Sequence, residues 1–364
     1  MDVYIGLFMC IILIYFLSKK TNNSNKYFLI FTGILLVIVI GSRHSWYSFS
    51  DEGMYYLEYK NAIGKTYNGY IDSFGELKDV GYFTMTWLLA QIVPWPQFLL
   101  YLECAAIVGA TFYFLYKNTR ESFLGVMVFL FGGLFTFYMS AFRQGFAFAF
   151  CLLAYQLDEN RRMRVGIKKI WFLVFEILIV IVSISMHRSA IIFLGIIVAK
   201  NIKYTNIKYL LFVVLTGYIF LFPEQILYYG NSMTDSDYGV GTATSLSGFW
   251  VQIFIYIFPL IIQGMTRYRM RKKNDFQLNN IIIASSLGIV FYIFRLYSLV
   301  FERIAFYYLV FPCALYDGVV QKGFEKKSQK IFYFVFSLGI MLLFLDRVSG
   351  NRFGGDFTFF WQVR

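Results

Sequence analysis

Charged side chains are scarce. Asp, Glu, Lys and Arg make up 15% of the 364 residues, where a soluble domain carries about 25%. No polar stretch is long enough to fold by itself, so a string of soluble domains is excluded. Histidine occurs only twice and cysteine four times, at Cys10, Cys104, Cys151 and Cys313, each within an apolar run. Those positions suit neither a disulfide framework nor a metal site, and the thiols read as small apolar packing groups. No Gly-rich phosphate loop, His/Cys cluster or Ser nucleophile motif stands out.

What the chain does have is hydrophobic length, with 59% of its residues apolar and 21% aromatic. Apolar runs occupy residues 3–18, 27–41, 97–116, 122–138, 143–157, 170–186, 188–199, 207–222, 249–265, 280–298, 302–319 and 331–346. Runs of this length in so uncharged a chain predict an all-α, polytopic membrane protein, with residues 1–364 as one integral membrane domain. The first run lacks a basic segment before it and a small-residue cleavage site after it, so it reads as a retained span. The shorter run 81–93 ends in Pro94-Trp95-Pro96 and reads as a re-entrant or interfacial helix.

The net charge of +12 does not point to nucleic acid, because most of the 33 basic residues lie in short loops between runs. The clusters at 19–26, 117–120, 161–169, 200–208, 267–273 and 322–330 fall on one face if 81–116 crosses once. By the positive-inside rule that face is cytoplasmic. The expected topology has twelve crossings and both termini outside. It leaves two long outer segments, 42–96 (its loop proper 42–80, followed by the surface or re-entrant helix) and 223–248. The first is acidic and aromatic. Within it Asp51, Tyr55 and Tyr59 recur every four residues, as on a helix lying along the membrane surface. The second is rich in Gly, Ser and Thr and includes Asp235, Asp237 and Tyr238, the composition of a mobile lid. The tail from Arg347 is expected on the outer surface.

Ionisable residues at the edge of hydrocarbon are costly and tend to be functional. Here they sit at the outer ends of the runs. Arg143-Gln144 opens a run whose next residues include Gly145, Ala147 and Ala149, so a phosphate could approach the guanidinium closely. The competing role is an Arg snorkelling to lipid head groups. His187-Arg188 interrupts another pair of runs. His187 titrates near neutrality and suits a base or a phosphate-orienting donor, or else a helix cap. Arg295 and Arg303 flank the turn 296–302, and Tyr307 follows Arg303 by one helical turn. Their competing role is an ion pair with Glu302. Asp51 and Asp79 are carboxylates that could take a proton from a sugar hydroxyl, and each is equally well read as part of a solvated acidic loop.

Taken in order, Arg43 with Asp51 and Tyr55, Asp79-x-Gly81-Tyr82, Phe142-Arg143-Gln144-Gly145-x-Ala147, Met186-His187-Arg188-Ser189-Ala190 and Glu302-Arg303-x-x-x-Tyr307 resemble the EpsG-like family of polysaccharide polymerases, related to Wzy-type O-antigen polymerases. The resemblance covers about residues 30–345. The family position before the Gly-aromatic pair is often Glu and is Asp79 here. The resemblance implies a GT-C-like glycosyltransferase of the bacterial cytoplasmic (inner) membrane, with its active site facing outwards. Its implied partners are undecaprenyl-pyrophosphate-linked oligosaccharides, the bilayer and a chain-length regulator, with no nucleic acid. It implies no required cofactor and leaves room for a divalent metal that no residue pattern indicates. Arg43, Arg143, Arg188, Arg295 and Arg303, with Gln144, would meet the pyrophosphate and sugar; Tyr55 and Tyr307 would stack on sugar rings. Asp51, Asp79 or His187 would receive the acceptor proton.

Two other functions use similar residues. A lipid-linked oligosaccharide flippase would place polar groups deep in several spans, whereas only Glu103 and Glu176 are clear intramembrane acids. A polysaccharide-modifying acyltransferase would need a cytosolic donor path, and the basic loops contain no obvious donor site.

Overall fold

The computed structural model describes residues 2–45, 51–74, 79–162, 165–202, 204–233, 239–241, 248–270, 276–349 and 357–362. Its helices are α1 (Asp2–Ser18), α2 (Ser24–Gly41), α3 (Glu52–Ala62), α4 (Tyr67–Ile71), α5 (Val80–Ile92) and α6 (Gln97–Asn118). Next come α7 (Phe123–Phe131), α8 (Leu134–Ser140), α9 (Phe142–Arg162), α10 (Ile167–Met186), α11 (Leu194–Asn201) and α12 (Thr205–Leu221). The last six are α13 (Pro223–Met233), α14 (Phe249–Met270), α15 (Phe276–Ile293), α16 (Leu299–Phe306), α17 (Phe311–Gly323) and α18 (Lys326–Ser349). Among the described residues there is no strand, only an isolated bridge between Arg43 and Phe359. Five helices are long and apolar enough to cross a membrane, or up to eight if each bent pair counts as one span. The protein is an all-helical, multi-pass membrane protein, because helices satisfy every backbone polar group within themselves.

Each apolar run forms helix, and the breaks have local causes. Gly133, with φ 99°, separates α7 from α8; a side chain is strained in that conformation. Pro223 opens α13, which turns 91° away from α12. Pro312 stands in the first turn of α17, and α16 and α17 are bent by 55°; a proline fits there because its missing N–H would be unpaired anyway. The stretch 223–248, read as a lid, begins as the α13 helix, while 234–238 and 242–247 lie outside the described residues. Gly241 N–H donates to Tyr297 O at 2.8 Å.

The chain divides into two compact units. The first comprises Met1–Lys117, Phe135–Arg188 and Met341–Arg364; the second comprises Asn118–Leu134 and Ser189–Ile340. In the first, α9 packs along α10, and α5 packs on both α10 and α3. Small residues permit this approach. A Cβ at Gly81 of α5 would stand 2.7 Å from Ser185 Cβ and 2.8 Å from its carbonyl carbon. Gly81→Ala is therefore expected to destabilise the protein by about 1–3 kcal/mol, read as a lowered apparent Tm of purified protein. Adding Ser185→Ala should not restore it, because both of those atoms remain.

In the second unit α14, α15 and α17 pack together, with α16 on α15 and α7 on α17. Aromatic rings fill the core: Phe193 stacks on Tyr308 and Phe311, and Tyr292 on Phe249. Two lysines of the basic cluster 200–208, read as part of a short loop between runs, are buried. Lys200 is 1% and Lys208 2% exposed, and Lys208 Nζ donates to Asn280 Oδ1 at 2.5 Å. Both stand within helices, Lys200 in the last turn of α11 and Lys208 in the first turn of α12, and not in the turn between them.

Candidate active site

The functional geometry of the first unit starts from α3. The expected repeat of Asp51, Tyr55 and Tyr59 is offset by one residue at its start. Asp51 is the exposed residue preceding the helix, with no capping side-chain bond, whereas Glu52, Tyr55, Glu58, Tyr59 and Ala62 are buried. These positions follow the spacing of one helix face. Tyr59 donates its hydroxyl to Val93 O at 2.8 Å, and burial pushes its pKa up to about 12, keeping it a neutral donor. Tyr55 stacks on Phe142 at 4.7 Å and meets Tyr82 edge-on at 5.8 Å.

That face presents two carboxylates to two arginines. At one end Arg43, wholly buried, donates Nε–H to Glu52 and Nη2–H to Glu103 Oε2 at 2.8 Å. A third donor, Nη1–H, reaches Ile40 O at 3.0 Å. Gln97 Nε2 donates to Gly41 O and Arg43 O, at 2.6 and 2.8 Å. The tail closes over the same loop: His44 N–H donates to Thr358 O at 2.7 Å and Phe360 N–H to Ser42 O at 3.0 Å. Arg43, expected at the pyrophosphate, is placed by the structure in a buried ion-pair cluster with Glu52 and Glu103. Its donors are engaged with buried carboxylates and a backbone carbonyl, and it pins the segment after α2 to α3 and α6.

At the other end Arg143, at the start of α9, lies between Glu58 and Asp79. Its Nη2 is 3.3 Å from Glu58 Oε1 and its Nη1 3.5 Å from Asp79 Oδ2. Its guanidinium carbon stands 4.9, 5.7 and 5.8 Å from the ring centres of Phe83, Tyr82 and Tyr55. Each such contact is worth about 0.5–2 kcal/mol, more as water is excluded. The Arg143 side chain keeps 14% of its surface open, against none for Arg43. Asp79 precedes α5, and its Oδ1 accepts the Arg188 backbone N–H at 3.3 Å. The structure thus brings Asp79, Arg143 and the His187-Arg188 turn together. His187 is buried, with extended backbone just beyond α10, and Arg188 begins a 3-10 turn (Arg188–Phe193). Gln144 is buried beside Arg143.

Sequence reasoning missed Glu58, Glu52 and Glu103 as members of these clusters. Glu58 follows Tyr55 by three residues, so the helical spacing already in view places it on the same face. Asp51, chosen instead, has no described contact with either arginine. The second intramembrane acid, Glu176, is also paired: Arg161 Nε lies 2.9 Å from its Oε2, and Arg161 also bonds Asp158.

In the second unit Arg295 forms the expected alternative, an ion pair with Glu302 at 3.2 Å, and donates to the Tyr292 hydroxyl at 3.0 Å. Arg303 is half-buried in the last turn of α16. Tyr307, expected to stack on a sugar, is fully buried: its hydroxyl is 3.0 Å from Ser189 Oγ and its ring lies beside Phe193. A ring with no open face cannot receive a sugar in this conformation. Among the described residues no group of three or more His, Cys, Asp or Glu could hold a metal.

Two carboxylates around one guanidinium give a cluster with a surplus of proton acceptors beside a fixed cation. Such a cluster can hold a hydroxyl, take its proton and stabilise a developing anion. No curated protein and no solved structure matches the chain. The profile of the EpsG family matches residues 26–359. That match spans both units and every residue of the Arg143 cluster, so the chain belongs to the EpsG family, whose members are Wzy-like polysaccharide polymerases.

Proposed function

We propose that the protein polymerises a surface polysaccharide, such as an exopolysaccharide or O-antigen, on the extracytoplasmic face of the bacterial cytoplasmic membrane. In this reading the chain crosses twelve times in a GT-C-like arrangement. The growing glycan sits on undecaprenyl pyrophosphate and is transferred to a hydroxyl of the next lipid-linked repeat unit. The acceptor oxygen bonds to the anomeric carbon as the bond from that carbon to the pyrophosphate oxygen breaks. The electron pair leaves on the pyrophosphate, and the acceptor proton passes to a carboxylate of the cluster.

The observation that supports this most is the largely buried, partly open Arg143 between Glu58 and Asp79, in a chain of this family. Arg143 supplies positive charge where the leaving group becomes more negative, which is where an enzyme gains most. Arg188 adds a second cation at the same turn. Glu58 or Asp79 takes the proton, and the aromatic walls exclude water. All of this chemistry is assigned within the first unit, and no cofactor is called for.

Glu58→Gln and Asp79→Asn in a deletion strain test the assignment through the profile of surface polysaccharide. The variant lacking the base should lose long polymer by about 10²–10⁴-fold while single repeat units still reach the surface. Wild-type profiles from both variants would remove the cluster from the chemistry. Loss of even the single units would favour flipping over polymerisation.

A further inference from the structure

A groove of about 560 Å³ runs between α2 and α6 in the first unit. Gly33, Val108 and Gly109 lie along it, Ile34 and Ile38 form part of its wall, and Lys26 lines it together with Tyr116. At Gly109 an added Cβ would meet nothing within 4 Å, so the space beside the backbone there is open to a ligand. Ile34 and Ile38 are 52% and 58% exposed. Half-exposed isoleucines are ordinary on a helix facing lipid; a glycine-cut channel ending at a lysine is not.

The two ends differ. Near Arg43 the helices are tied together. Arg43 bonds Glu103 at 2.8 Å, Ser42 Oγ lies 2.5 Å from the Tyr101 hydroxyl, and a Cβ at Gly41 would stand 2.9 Å from a Tyr101 ring carbon. That end is closed. The other end opens at Lys26, and Lys19 and Lys20 precede it in the turn from α1. Lys117 lies at the end of α6, with Nζ 5.6 Å over the Tyr113 ring. Neither 19–26 nor 113–117 contains an acidic residue. The lining of α2 from Lys26 to Ile38 is about 18 Å long at 1.5 Å per residue, close to one leaflet of a bilayer whose core is about 30 Å thick.

We propose that this groove binds an anionic glycerophospholipid, with one acyl chain along Gly33 and Gly109 and its phosphate at Lys26. The closed end and the open basic end together fix this orientation. A lipid whose phosphate lay at the Arg43 end would have its head group against the sealed side and its apolar tail among lysines. The site is separate from the Arg143 cluster, and its occupancy is independent of the polymerase reading.

Native mass spectrometry of the purified full chain tests this, with phosphatidylglycerol and phosphatidylcholine of identical acyl chains as probes. The wild type should retain phosphatidylglycerol about fivefold or more over phosphatidylcholine, the scale of one lysine at an anionic membrane surface. Lys26→Glu should abolish that preference while still binding lipid, and Gly109→Trp should reduce retention of both. Equal retention of the two lipids by the wild type would overturn the proposal. So would undiminished phosphatidylglycerol retention by Gly109→Trp, or preferential retention of undecaprenyl phosphate over phosphatidylglycerol.

Discussion

Replacing Arg143 with alanine is expected to abolish long polysaccharide while leaving single repeat units at the cell surface. The reason is that Arg143 is the partly open cation of its cluster, held between Glu58 and Asp79 at 3.3 and 3.5 Å. Losing a preorganised charge of this kind costs about 10²–10³-fold in rate. The substitution also leaves two carboxylates without their cation, which adds repulsion toward a pyrophosphate. Arg143→Lys should fall between wild type and alanine. Lysine keeps the charge but cannot span both carboxylates with a planar fork. Polymer length on gels, normalised to membrane-extracted protein, reads the result. Polymer of wild-type length from Arg143→Ala would show that the cluster is not part of the reaction.

The second large effect is structural. Arg43→Met is expected to cost about 3–5 kcal/mol, because it strands Glu52 and Glu103 as unpaired buried carboxylates. The triple variant Arg43→Met, Glu52→Gln, Glu103→Gln should recover much of the loss, since no uncompensated charge remains. Apparent Tm in detergent and the fraction of monodisperse protein measure both. The comparison also distinguishes the two roles considered for Arg43. An unchanged Tm with lost polymer in Arg43→Met would return it to the phosphate-binding set; a collapse in Tm rescued by the triple variant identifies it as the anchor of the segment between α2 and α3.

Much of the architecture is legible in the sequence because hydrocarbon imposes a strong local constraint: a spanning segment must be helical and apolar along most of its length. The apolar runs, the short helix 80–92 before Pro94, and the helix carrying Tyr55 and Tyr59 all follow from local pattern. The Arg295–Glu302 pair is also local, seven positions apart across one turn, and was among the readings open from sequence. The partners of Arg43 and Arg143 were harder to see. Glu103 is sixty positions from Arg43, and Glu58 eighty-five from Arg143. No periodicity links positions that far apart, because tertiary packing alone brings them together. Asp51 keeps the four-residue spacing of the buried Tyr55 and Tyr59, yet the helix begins only at Glu52, so Asp51 stands outside it and is exposed, while Glu52 and Glu58 lie on the buried face. The burial of Lys208 was likewise out of reach, since a charge pattern reports which loop a lysine is near and not whether its head group finds a buried amide, here Asn280.

The most direct measurement of the central claim is polymer formation by the purified protein. The wild type, in detergent, would be supplied with undecaprenyl-pyrophosphate-linked repeat units alone. In micelles there is no second leaflet, so a flippase has nothing to do, while a polymerase still has donor and acceptor. The wild type should give a ladder of lengthened lipid-linked glycan and release undecaprenyl pyrophosphate. Arg143→Ala of matched Tm should give neither. A folded wild-type protein that leaves the single units unchanged, or an Arg143→Ala ladder equal to that of the wild type, would contradict the claim.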